Sequence, residues 1–159
     1  MKSIEVLSKV AELESSSIFN CLANRHIGVH YPASSEMFES GQMALMIGCD
    51  KKHIGIFLNP ESERKYQIFY LWHELGHFET EDEWQGQRNY MFTSRRSECE
   101  YTANLFAIFA LLPMTCPEGE NMISMAHKVG IPVEIVKEVL FKLRFDPHPI
   151  MRVYYSDYM

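Results

Sequence analysis

Residues 70–79 read YLWHELGHFE, and no other stretch restricts the fold of this chain so closely. Two histidines four positions apart lie one turn up the same face of a helix, so His73 and His77 can aim two imidazole nitrogens at one point. At about 2.0–2.1 Å from each nitrogen, that point suits a zinc ion. Glu74, directly after the first histidine, projects beside such an ion and not onto it. There it can take a proton from a water held at the metal and later deliver it to a leaving amine. That is the division of labour in H-E-x-x-H zinc peptidases. The plain alternative is two ordinary histidines on an amphipathic helix. With 7 His and 17 Glu among 159 residues, random placement yields the pattern about 0.03 times in such a chain, so chance is a poor account of it. Gly76, inside the motif, costs about 0.5–1 kcal/mol relative to Ala in mid-helix. A close approach of another backbone or side chain to the metal helix would give it a purpose.

The surroundings place the motif. From about Glu63, the apolar residues Ile68, Leu71, Trp72, Leu75 and Phe78 recur at 3–4 spacing, which predicts a largely buried helix. Before it, "MALMIG" and "HIGIFLN" are two short strand-like segments joined by "CDKK", a β-hairpin that Pro60 closes. Ile4, Leu7, Val10, Ala11, Ile18 and Leu22 follow a helical period interrupted at Ser15, Ser16 and Ser17, so one or two helices open the fold. Thr80 to Arg96 reads as a polar excursion. From about Ser97 to Leu112, Ala103, Phe106, Ala107 and Ala110 predict a second apolar helix stopped by Pro113. Two shorter helices follow around "NMISMAHKVG" and "PVEIVKEVLFKL", the latter opened by Pro132 at a first-turn position. The tail "FDPHPIMRVYYSDYM" has no clear period. The expected fold class is α+β, mostly helical, with a small β-hairpin or sheet preceding the metal-binding helix.

A hydrolytic zinc keeps three protein ligands, and the third is sought downstream. "RRSECEYTANLFAIFALLP" offers Glu98 and Glu100 at the start of the second buried helix. Glu100 is the better choice, because Asn104 lies one turn further on the same face and can hydrogen-bond a ligand histidine. Glu98 is rotated about 200° around the helix, towards water. The plainer alternatives are a solvated first-turn acid favoured by the helix dipole for Glu100, and a capping or surface amide for Asn104. His53, Arg95, His127, His148 and Tyr154 are the groups available to face a developing oxyanion. None is singled out by its context.

Composition narrows the class. The net charge of −6 disfavours a protein whose main work is holding nucleic acid. No apolar run approaches the roughly 18 residues of a membrane span, and the acids of "MKSIEVLSKVAELESSS" do not suit a signal peptide, so a cytoplasmic location is expected. Cys21, Cys49, Cys99 and Cys116 lack the close spacing of a zinc ribbon and read as small hydrophobes in a reducing compartment. With no repeat or linker, residues 1–159 are expected to form a single domain.

Taken together, "YLWHELGHF", a gap of about twenty residues, and "ECEYTANLFAIFALLP" resemble the ImmA/IrrE family of metallopeptidases, whose pattern is a HELGH helix followed by an E-x-x-A-N/D-x-F-A-x-x-L-L-x-P helix. The likeness extends over roughly residues 40 to 145. Thr102 departs from it, standing where many members carry an acid. The resemblance implies a zincin-like metallopeptidase domain with Zn2+ held by His73, His77 and Glu100, and with Glu74 as acid/base. It further implies limited proteolysis of a protein substrate, a helix-turn-helix transcriptional repressor of a prophage or mobile element. A competing reading is a non-catalytic regulator that binds a partner repressor or DNA through the 122–144 helical hairpin, where "SMAHKVGIPVEIVKEVL" resembles a helix-turn-helix. Lys137 and Lys142 against Glu134 and Glu138 leave that hairpin too little positive charge to hold phosphates unaided. Direct nucleic-acid binding is therefore not expected.

Overall fold

The structure, a computed structural model, describes residues 1–14, 16–50, 53–81 and 94–159, with the side chains of 49, 50 and 94–96 excepted. Two short helices open the chain, α1 (Ser3–Ala11) and α2 (Ile18–Asn24). Ser17 caps the second by accepting from the Asn20 N–H, so the serine run that interrupts the helical period also starts the next helix. Three strands follow: β1 (Ile27–His30), β2 (Ala44–Asp50) and β3 (His53–Leu58). β2 and β3 form the expected antiparallel hairpin, while β1 adds in parallel to the other side of β3 to give the order β1-β3-β2. The sequence reading omitted β1. Its four residues include one glycine and one histidine, too brief an alternation to stand out.

Ile27, Ile54, Ile56, Leu58, Ala44 and Met46 are buried and turn one face of the sheet towards the helices. The strand-to-helix turn after β3 is built on Asn59, whose side chain donates to the Gln42 carbonyl and accepts from the Glu61 N–H at 2.8 and 2.9 Å. A 3-10 turn, Arg64–Tyr66, leads into α3 (Gln67–Thr80). The helix thus starts a few residues later than its apolar pattern suggested. α4 spans Ser94–Leu111, so much of the expected polar excursion between the two helices lies outside the described residues.

α3 and α4 form the centre of the molecule, with Phe69, Leu71, Leu75, Phe106 and Ile108 all but fully buried. Gly76 is where they meet. A Cβ there would sit 3.0 Å from both the Ala103 carbonyl oxygen and the Phe106 Cβ, so the missing side chain admits the backbone of α4.

α5 (Met122–Val129) and α6 (Val133–Leu143) form a hairpin that buries Ala126, Ile131, Val136 and Leu140. Its turn is Gly130, at φ +75°, and a Cβ there would lie 2.2 Å from the Lys65 carbonyl oxygen. The hairpin is therefore seated against the turn that introduces α3. The tail, which showed no clear period in the sequence, forms a further helix, α7 (Pro149–Tyr158). His148 caps it and Pro149 occupies its first turn. Among the described residues, no helix is long and apolar enough to cross a membrane. Cys21, Cys99 and Cys116 are free thiols, of which only Cys21 is fully buried.

Candidate metal centre

The face of α3 that carries His73 and His77 lies against the first turns of α4. The structure brings both histidines together with Glu100, their ligating atoms all within 4.8 Å of one another. His73 Nε2 and His77 Nε2 are 3.0 Å apart. Glu100 approaches the first with Oε2 at 3.1 Å and the second with Oε1 at 3.2 Å. Glu98, the other acid considered, is exposed.

The outer nitrogens define the tautomers. His73 Nδ1 is 2.7 Å from Asn104 Oδ1, the contact expected from the one-turn spacing of Glu100 and Asn104. His77 Nδ1 is 2.8 Å from Glu81 Oε1, a partner the sequence reading passed over. Both neighbours are acceptors, so each Nδ1 carries the hydrogen and each Nε2 presents its lone pair to the cluster. Two lone pairs and a carboxylate, converging at 3.0–3.2 Å, repel one another unless a cation or a proton lies between them. Two neutral imidazoles and one carboxylate, with second hydrogen bonds already fixed, are a donor set suited to a divalent transition metal. The residues present fit the ion.

Burial is uneven across the cluster. His77 is wholly enclosed, the His73 side chain is 13% exposed, and that of Glu100 is 43% exposed, so the site opens on the α4 side. Burial alone would raise the Glu100 pKa, but where protons on His73 and His77 stand in the place of a cation, their hydrogen bonds and charge outweigh it and hold the carboxyl well below the usual carboxylate range. Glu74 is buried at 4% exposure, on the helix turn between the two histidines.

The residues considered for oxyanion contact are dispersed. Tyr154 is buried, with its hydroxyl 3.4 Å from the Leu112 carbonyl. His148 accepts from the Ile150 N–H as the cap of α7. His53 begins β3, His127 lies exposed on α5, and the Arg95 side chain falls outside the described residues. On α6, Lys137 and Lys142 pair with Glu134 and Glu138 at 3.5 and 3.1 Å, which neutralises the face a DNA-binding hairpin would need.

A small sheet backed by helices, with two packed central helices offering two imidazoles and a carboxylate to one point, defines an α+β domain of the zincin-like class. The family described as the IrrE N-terminal-like domain of the M78 peptidases matches residues 41–140. The chain belongs to that family, and the ImmA/IrrE resemblance of its motifs is thereby shown. No curated protein and no solved structure matches it.

Proposed function

We propose that the chain is a zinc-dependent endopeptidase of the cytoplasm, acting on a protein substrate that is a helix-turn-helix repressor of a prophage or mobile element. The observation that carries the catalytic reading is the convergence of His73 Nε2 and His77 Nε2 from α3, the helix of Glu74, with Glu100 from α4 on one point. Membership of a peptidase family supports it. His73, His77 and Glu100 would hold the ion, which when bound would supply Lewis acidity for water attack on an amide. Asn104 holds the His73 ring in the tautomer that leaves Nε2 free to ligate. Glu74 takes the proton from the attacking water and returns it to the amide nitrogen as that nitrogen leaves, a contribution of typically 10²–10⁴-fold. Glu100 is partly exposed and His77 enclosed, so a substrate would approach from the Glu100 side. The repressor as substrate rests on resemblance to the family.

Glu74→Gln tests the reading. The amide keeps the shape of the carboxylate but cannot accept the proton. Cleavage of a helix-turn-helix repressor supplied as substrate should be abolished with zinc content unchanged. A variant that still cuts overturns the mechanism.

A further inference from the structure

Glu81 is the residue following α3, and its side chain is 5% exposed. Its backbone N–H donates to the His77 carbonyl at 3.1 Å, while its carboxylate lies 2.8 Å from the Nδ1 of the same histidine. An acid is poorly placed there on grounds of helix stability. The C-terminal end of a helix carries partial negative charge and disfavours a carboxylate by a few tenths of a kcal/mol or more, and burial adds to the cost. A purely structural role would be served better by a neutral side chain.

We propose that Glu81 is a positioning residue of the metal centre, resting on the metal-centre reading given above. It holds His77 in the Nδ1–H tautomer, fixes the ring orientation, and adds a negative charge behind the imidazole that strengthens Nε2 as a donor. The charge becomes favourable once a cation sits on the far side of the ring. The two histidines are then held unequally. Asn104 gives His73 an acceptor without charge, and Glu81 gives His77 an acceptor with charge. His77, wholly enclosed, is the anchored ligand, and His73 is the more exposed one.

Two readouts test this. Zinc affinity is measured by competition with a chromophoric chelator for wild type, Glu81→Gln and Glu81→Ala. Long-range proton–nitrogen NMR of the metal-free proteins reports which His77 nitrogen bears hydrogen. Wild type should show hydrogen on Nδ1. Glu81→Gln keeps an acceptor, so the tautomer should persist while affinity falls roughly tenfold; Glu81→Ala should lose the tautomer preference and bind zinc about 10–100-fold more weakly. Wild-type affinity in Glu81→Ala, or an unchanged tautomer there, overturns the proposal. Should Glu81→Ala fail to fold by circular dichroism, unchanged affinity in the near-isosteric Glu81→Gln overturns it equally. A wild-type protein that takes up no zinc fails at the first step, and sinks the metal-centre reading together with this one.

Discussion

Asn104 and Glu81 occupy matching places behind His73 and His77, yet only Asn104 stood out in the sequence. The reason is context. Asn104 interrupts a strongly apolar helix one turn past Glu100, where a polar side chain needs a partner. Glu81 sits in the run "ETEDE", where an acid looks like solvated surface. Its signal was the spacing, four residues beyond His77, the interval that separates the two histidines themselves. That His73, His77 and Glu100 come together was legible, the histidines from their four-residue interval and Glu100 from its place one turn before Asn104; the chemistry proposed for them and for Glu74 rests on the residue types of the motif. If Asn104 orients His73, then Asn104→Ala should weaken zinc binding by about tenfold with little loss of thermal stability. Unchanged affinity would mean that the ring is oriented by something else.

At the scale of elements, the site depends on how closely α4 can approach α3. Gly76→Ala would gain up to about 1 kcal/mol of helix propensity. It would also drive a methyl to 3.0 Å from the Ala103 carbonyl oxygen and the Phe106 Cβ, neither of which is a flexible side-chain end. Overpacking of this kind costs about 1–3 kcal/mol. The variant should therefore melt at lower temperature, and it should bind zinc less well because Glu100, one turn before Ala103, moves away with α4. A stabilised variant would contradict the close approach. Helical elements with a clear apolar stripe were legible: α3, α4 and the α5–α6 hairpin all lie near their expected positions. α7 was not, although Met151, Tyr154 and Tyr158 are spaced at 3 and 4 and are buried. Tyrosines blur an apolar stripe, and "DPHP" reads as a breaker when it is in fact the start signal, with His148 as cap and Pro149 in the first turn. β1 was missed for another reason: its place beside β3 is a long-range parallel pairing that no local pattern reports.

For the molecule as a whole, α7 ties the C-terminal end of the chain to the far end of the helix that carries Glu100. The Tyr158 hydroxyl donates to the Pro113 carbonyl at 2.7 Å, and the Tyr154 hydroxyl lies by that of Leu112. Burial pushes both phenols above their ordinary range, and on α4 it pushes Tyr101 up to about 12. A phenol whose folded pKa is raised stabilises the fold fully below the unfolded value of about 10. That contribution is lost as the pH rises through the folded value. Thermal melts should therefore fall steeply from about pH 10 upward. Tyr154→Phe, which removes one such group, should decline less steeply; an identical alkaline slope would show that these tyrosines do not carry the effect.

His73, His77 and Glu100 are proposed to hold one metal ion. Elemental analysis of the purified protein, beside His73→Ala and Glu100→Ala, tests it most directly. About one zinc per chain is expected for wild type, reduced in both variants. Wild-type protein that stays metal-free after zinc is supplied would contradict the claim.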